Sequence, residues 1–230
     1  RRSSDLAAVE KMAEISAKEA AVSGLHVTFS PMVDLVRDPR WGRVMESTGE
    51  DPLLNSRLAA AMVRGYQGEN LKEDNWRVAA CVKHFAAYGG ALAGRDYNTV
   101  DMSERQLREM YLPGYKAGLD AGAKLVMTSF NTVDGIPATG NQWLFRDVLR
   151  NEFGFEGVVI SDWGAIKELI PHGVAKDEKQ AAELAIKAGV DIEMMTTCYP
   201  DYLKELLEEG RIAETLIDEA VMRILKLKNE

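Results

Sequence analysis

Residues 157–163, Gly157-Val158-Val159-Ile160-Ser161-Asp162-Trp163, decide the fold class of this chain. A short apolar run leads without a spacer into Ser161 and Asp162. Similar apolar runs begin near residues 25, 78, 124 and 190. These runs are continuous rather than alternating, which is typical of parallel strands that are covered on both faces. The sequence therefore predicts an α/β fold with about five parallel strands.

Helical patterns fill the intervals between the predicted strands. The intervals are wide enough for right-handed crossover connections, and several contain capping signals such as the box Ser103-Glu104-Arg105-Gln106. Helices are predicted over 5–23, 53–66 and 142–152, from Ser103 to about Gly122, and from Asp177 to Gly189, with two more at the end of the chain.

Polar side chains follow the ends of the predicted strands. A doubly wound nucleotide-binding sheet usually carries a Gly-x-Gly-x-x-Gly or phosphate loop, and neither occurs in this sequence. Chemistry collected at the carboxyl ends of many strands is instead typical of a TIM barrel. We therefore predict a (β/α)8 TIM-barrel type that is incomplete in this chain, with about five of eight βα units. The strand-end residues are Asp34, Lys83, His84, Ser129, Asn131, Ser161, Asp162 and Glu193.

Composition excludes several functional classes. The 230 residues carry a net charge of −8, so we expect neither a nucleic-acid partner nor an anionic membrane. No apolar run reaches the length of a membrane span. The two cysteines, Cys81 and Cys198, fit no zinc pattern, and a disulfide scaffold is not expected. Because no signal peptide is visible, the cytoplasm is the predicted location.

The pair Asp162-Trp163 is the first candidate for chemistry. A carboxylate at the mouth of the sheet can act as a nucleophile, a base or a metal ligand, whereas the structural alternative is an N-cap of the following helix. The adjacent Trp163 favours a functional role, because an aromatic ring beside a carboxylate suits stacking against a sugar ring.

Three other segments carry candidate ligands. Lys83 and His84 end a buried strand, where a lysine is rare unless it is paired or functional; Lys83 could also serve as a Schiff-base lysine. Arg43 lies in a charged loop, 37–52, whose residues could equally form internal salt bridges. Arg95 lies in the long loop 86–100, where the alternative is an ordinary surface charge.

Taken together, five segments resemble glycoside hydrolase family 3, and its β-glucosidases in particular. The resemblance runs from about residue 5 to residue 228. The segments are Asp38-Pro39-Arg40-Trp41-Gly42-Arg43, Glu46-x-x-Gly49-Glu50-Asp51-Pro52, Lys83-His84-Phe85, Met127-Thr128-Ser129-Phe130-Asn131, and the stretch from Gly154 to Trp163.

The resemblance implies a role for each candidate. Asp162 matches the catalytic nucleophile of a retaining enzyme, and the residues that match ligands of the sugar are Arg43, Lys83, His84, Arg95 and Trp163. Phe130 stands where some relatives have a tyrosine. No cofactor and no metal are expected. Glucose is the favoured sugar, while xylose and arabinose stay open.

The resemblance also implies parts that residues 1–230 do not supply. We expect this chain to be part of a family 3 barrel domain, with the N-terminal strands and a C-terminal α/β sandwich domain outside it. The acid/base glutamate belongs to that second domain, and Tyr88 stands where one subset of the family has a catalytic histidine. The missing strands would come from the same polypeptide, a partner chain or self-association. Two alternatives stay open: a Schiff-base aldolase using Lys83, and a non-catalytic fragment that binds sugar or another subunit.

Overall fold

The computed structural model describes residues 3–97 and 99–230. Their main feature is a parallel sheet with the strand order β1-β2-β3-β6, and a parallel bridge between Ile160 and Ile192 stands at the fifth predicted strand. A small antiparallel hairpin, β4 and β5, lies between β3 and β6. The strands are β1 (Val27–Thr28), β2 (Ala79–Phe85), β3 (Leu125–Thr128), β4 (Thr132–Val133), β5 (Ile136–Pro137) and β6 (Val158–Ile160). The predicted α/β class with a parallel sheet is confirmed.

Helices alternate with the strands. Two segments have π-type hydrogen bonding: Leu107–Tyr111, which joins α3 to α4, and Trp143–Glu152, which precedes β6. The α-helices are α1 (Ser3–Val22), α2 (Pro52–Gln67), α3 (Glu104–Gln106), α4 (Leu112–Asp120), α5 (Glu178–Ala188), α6 (Cys198–Glu208) and α7 (Glu214–Lys228). Short 3-10 turns cover Val44–Glu46, Tyr88–Gly90, Leu92–Gly94, Ala138–Gly140 and Lys167–Leu169.

The predicted helix boundaries are confirmed by their caps. The side chains of Asp51, Ser103 and Asp177 each accept a hydrogen bond from a backbone N–H in the first turn of the helix that follows. Gly189 ends α5 with a φ of 106°, a left-handed conformation that favours glycine. These signals are local in sequence, and they fix where the crossover helices begin and end.

Both faces of the sheet are apolar. On one face, alternate strand residues such as Val82, Val126 and Val159 belong to the main core beneath the helices. On the other face, Cys81, Met127 and Val158 belong to a smaller cluster with residues of the neighbouring strands. This two-sided burial explains why the strands appear as continuous apolar runs in the sequence.

Two strands differ from their predicted bounds. The run 25–29 yields only the two-residue strand β1, and Phe29 is exposed. The strand β2 continues beyond the predicted end through Lys83 and His84, because Val33 N–H donates to the carbonyl oxygen of Lys83 at 2.7 Å and the pairing with β3 extends to Phe85. Lys83 and His84 therefore lie inside the strand rather than after it. Among the described residues, no helix is long and apolar enough to cross a membrane.

Candidate active site

Asp162 lies directly after β6, and one of its two carboxylate oxygens has a hydrogen-bond donor. The Oδ1 atom accepts a hydrogen bond from the backbone N–H of Trp163 at 2.6 Å. The Oδ2 atom is buried, and the Nε2 atom of His84 lies 3.4 Å from it. The residue as a whole is 8% exposed. A carboxylate in this state has a defined orientation and a narrow approach from solvent.

The geometry of Asp162 is not that of an ordinary helix N-cap. An N-cap side chain accepts from an N–H two or three residues later, whereas Asp162 accepts from the next residue. Gly164 N–H donates to Met194 O, and Ala165 N–H donates to the backbone oxygen of Asp162. The cap alternative is therefore wrong for this side chain.

A chain of hydroxyl groups fixes the backbone of Asp162. Its N–H donates to the Oγ1 atom of Thr128 at 3.2 Å, and that atom lies 2.9 Å from the Oγ1 atom of Thr139. The Thr139 hydroxyl in turn lies 3.5 Å from the carbonyl oxygen of Ser129. Thr128 and Thr139 are buried, so the end of β6 is tied to the end of β3 inside the protein.

His84 lies between two carboxylates. Its Nδ1 atom is 2.7 Å from the Oδ2 atom of Asp34, which also accepts from the backbone N–H of His84 at 3.1 Å. The hydroxyl of Tyr115 donates toward the Oδ1 atom of Asp34 at 2.6 Å and also approaches the carbonyl oxygen of His84. Burial, followed by the charge of Asp34, raises the pKa of Tyr115 well above its ordinary value. The phenol therefore stays a hydrogen-bond donor.

Arg43 lies in the same region and forms an ion pair with Glu46. Its guanidinium donates to both carboxylate oxygens of Glu46, at 2.6 and 2.8 Å. The guanidinium carbon lies 5.6 Å from the centre of the Tyr88 ring, which in turn packs against His84 at 5.2 Å. The pKa of Glu46 is lowered, first by its hydrogen bond to Arg43 and further by the charges of Lys83 and His84.

The predicted salt-bridge alternative is thus correct in part. Arg43 pairs with Glu46, and Arg40 pairs with Asp38 at 2.6 Å on the exposed side of the loop. Lys83 is partly buried, and within the described residues its ammonium forms no ion pair. Lys83 lies in β2 next to His84, and its sugar-binding role stays a prediction.

A cluster of aromatic rings, formed by Trp41, Tyr88, Tyr97 and Phe130, borders the site. The sequence did not predict that these rings pack together. Tyr88 lies at the centre of the cluster, with ring centroids 5.0 Å from Trp41 and 5.8 Å from Phe130. The ring of Tyr97 packs on Phe130 at 4.5 Å. The only signal in the sequence is the position of Tyr88 shortly after Lys83-His84-Phe85. Trp163 is 63% exposed, which leaves its face open to a ligand.

Two other predicted positions behave differently. Arg95 is exposed after the turn Leu92–Gly94, and no hydrogen bond or ion pair joins its side chain to Asp162, His84 or Arg43. Its sugar-binding role stays a prediction. Glu193 follows the fifth predicted strand, but its carboxylate accepts from the N–H groups of Cys198 and Tyr199 at 3.0 and 2.7 Å and so caps α6.

Several cavities of the described surface lie away from this site, and one of about 800 Å³ is lined by residues such as Glu10 and Arg64. One of about 380 Å³ and another of about 770 Å³ open at the amino ends of the strands, beside Lys124 and Val27 respectively. The candidate residues instead gather at the carboxyl ends, as barrel chemistry requires. Within the described residues, no cluster of three or more His, Cys, Asp or Glu side chains could hold a metal ion.

A parallel sheet with a carboxylate, an imidazole and two cations near the carboxyl ends of its strands defines an α/β domain with a barrel-type candidate active site. Comparison with known proteins makes the assignment specific. Residues 1–227 match the N terminal domain of glycosyl hydrolase family 3, and the chain belongs to this family.

Similar proteins include enzymes from three bacteria. The periplasmic beta-glucosidase of Salmonella typhimurium is 48% identical over 224 residues, covering 97% of this chain and 29% of that protein. A beta-xylosidase of Formosa agariphila is 38% identical, covering 96% of this chain and 32% of that protein. The crystal structure of a beta-glucosidase from Listeria innocua in complex with glucose is 65% identical with a TM-score of 0.95, covering 96% of this chain and 31% of that one. The chain thus spans about a third of the length of these relatives.

Proposed function

We propose that this domain supplies the nucleophile and the sugar-binding pocket for retaining hydrolysis of terminal β-D-glucosyl residues. The observation that carries the proposal is the carboxylate of Asp162, which is held by the N–H of Trp163 and faces the Nε2 atom of His84 at the carboxyl end of β6. Retaining glycosidases use such a carboxylate as the nucleophile and a second carboxyl group as the acid and base.

In the proposed reaction, Asp162 attacks the anomeric carbon and forms a glycosyl ester while the glycosidic C–O bond breaks. A proton from the acid residue goes to the departing oxygen. Water, deprotonated by the same residue, then cleaves the ester. Lys83 and Arg43 offer donors to the sugar hydroxyls, the Nε2 atom of His84 offers a further hydrogen-bonding group, and Trp163 offers a face on which the ring can stack.

The ligands of a similar enzyme support glucose as the sugar. The Listeria innocua enzyme was solved with glucose and with laminaribiose, and it is 65% identical to this chain. Beta-xylosidases are also among the relatives, at 38% identity or below. The known relatives are glycosidases, and they favour this reaction over a Schiff-base aldolase that uses Lys83.

We further propose that the acid/base residue and the remaining barrel strands come from outside residues 1–230, in the same polypeptide. The chain covers 29% of the Salmonella relative, which leaves ample length for both. Exposed apolar side chains support this on the outer helices, with Met12 and Ile15 on α1 and Met222 and Leu225 on α7. A cytoplasmic location also stays a prediction. The Salmonella relative is named a periplasmic enzyme, and this name applies to that protein.

Covalent trapping tests the nucleophile in the full-length protein. A 2-deoxy-2-fluoro-β-glucoside should label Asp162, as read by mass spectrometry of the digested protein. Asp162→Asn should abolish the label and the hydrolysis of aryl glucosides. Glu168→Gln is a matched control, because Glu168 is a partly buried carboxyl whose pKa is raised by burial and by the charge of Asp162. This variant should still be labelled at Asp162.

Three results would contradict the proposal. A label on another carboxylate, with Asp162→Asn still active, would refute the nucleophile assignment. Reduction of a carbonyl substrate onto Lys83 by borohydride, without any label on Asp162, would favour the aldolase. A full-length protein that binds glucose but never forms the ester would support the non-catalytic alternative.

A further inference from the structure

The imidazole of His84 has a partner at each nitrogen, and the two partners differ. Asp34 contacts Nδ1 at 2.7 Å, whereas Asp162 lies 3.4 Å from Nε2. Asp34 is fully buried and His84 is 1% exposed. The nitrogen that faces the nucleophile is therefore the loosely held one, and Asp34 holds the opposite side of the ring.

The contacts of Asp34 leave it little freedom. Its Oδ2 atom accepts from both the backbone N–H and the ring of His84, while its Oδ1 atom accepts from the hydroxyl of Tyr115. An unprotonated Nδ1 would direct its lone pair at a carboxylate oxygen 2.7 Å away, whereas the carboxylate facing Nε2 is 3.4 Å away, so the shorter contact favours a hydrogen on Nδ1. With that hydrogen fixed, the plane of the imidazole and the direction of Nε2 are fixed as well.

The cost of this arrangement argues for a role beyond packing. Among the described residues, no lysine or arginine pairs with Asp34, and the only partner that can carry a positive charge is His84. Burying a carboxylate without a permanent cation is expensive, and an apolar side chain would fill the same space more cheaply. Asp34 is a buried carboxylate in direct contact with His84, a residue of the candidate site. A carboxylate in this position is expected to orient the functional group that it contacts.

We propose that Asp34 is a positioning residue that holds the hydrogen of His84 on Nδ1 and aims Nε2 at Asp162 and the bound sugar, with Tyr115 holding Asp34 itself in place. The inference deepens the proposed function by naming what orients one of its sugar ligands. Asp34 and Tyr115 touch neither the sugar nor the reacting atoms in this arrangement.

The first test needs no substrate, and it uses a variant only to assign a signal of the wild-type protein. Imidazole ¹⁵N signals of the full-length wild-type protein report which ring nitrogen carries hydrogen, and His84→Gln assigns the signal by its disappearance. We expect a protonated Nδ1 in His84. A ring with its hydrogen only on Nε2 would overturn the proposal, whatever the protein hydrolyses, so this outcome is separate from failure of the proposed function.

The second test is a double-mutant cycle measured as kcat/KM on an aryl β-glucoside. Asp34→Asn should lower kcat/KM by about 10- to 100-fold, the usual effect of losing a partner that orients a functional histidine. In the His84→Ala background the same change should cost nothing further, because Asp34 acts through His84. A loss that is equal in both backgrounds would show a merely structural role and overturn the proposal.

A variant that keeps Asp34 allows the same test if Asp34→Asn does not fold. Tyr115→Phe removes one hydrogen bond to the Oδ1 atom of Asp34 and leaves its contact with Nδ1. We expect a smaller loss of kcat/KM than in Asp34→Asn, and this loss should also vanish in the His84→Ala background. Persistence of the Tyr115→Phe loss without His84 would contradict the proposed arrangement even if Asp34→Asn does not fold.

Discussion

The hydroxyl of Thr128 links the nucleophile to the sheet, and its removal gives a quantitative test of the site. Thr128→Val keeps the shape of the side chain but removes the acceptor of the Asp162 N–H, which lies 3.2 Å away. It also removes the partner of Thr139 at 2.9 Å. Leaving a buried N–H without a partner costs about 1–3 kcal/mol.

Thr128→Ser is the matched control, because it keeps the oxygen and loses only a methyl group. Loss of one buried methyl group costs about 0.5–1.5 kcal/mol. We therefore expect both variants to lower the free energy of unfolding. Only Thr128→Val should remove the hydrogen bond that holds the backbone of Asp162. If misplacement of Asp162 raises the activation free energy by about 1.4 kcal/mol, kcat/KM falls about tenfold.

Two measurements on the full-length protein separate the variants. Hydrogen exchange of the Asp162 amide should accelerate in Thr128→Val and stay slow in Thr128→Ser. The rate of ester formation with a 2-deoxy-2-fluoro glucoside should fall in the valine variant alone. Equal exchange and equal ester formation in both variants would refute the idea that this hydroxyl positions Asp162.

Three further predictions concern the framework. Arg150→Met leaves buried Asp191 with a single arginine partner, so the free energy of unfolding should fall by about 3 kcal/mol in urea; an unchanged midpoint would contradict this. Both cysteines are buried, and burial raises the pKa of Cys198 to about 12, so thiol reagents should label neither one near pH 8 before unfolding. Rapid labelling of the native protein would be inconsistent with that burial. Gly157→Ala places a Cβ atom 2.3 Å from a backbone oxygen and should cost about 1–3 kcal/mol, whereas Gly42→Ala, in open space, should be neutral; equal melting temperatures would refute the contact.

The sequence predicted those features whose causes lie within a few residues. Continuous apolar runs predicted the parallel strands, and the signals at Ser103 and Asp177 predicted where two helices begin. The order of short motifs identified the family and drew attention to Asp162. Each strand, cap and motif is a local signal, and the order of the motifs along the chain needs no folding to be seen, so a single sequence carries all of them.

Only the tertiary structure decided which side chains work together. Asp34 and His84 are 50 residues apart, and Asp34 and Tyr115 are 81 apart, yet the three share one buried set of hydrogen bonds. The pairing of Arg43 with Glu46 and the exposure of Arg95 likewise depend on how loops pack around the ends of the strands. The sequence determined the parallel sheet and the nucleophile candidate, because strand burial and motif order are local. The partners of that nucleophile follow from packing, since parallel strands bring distant residues to one edge only after the sheet has formed.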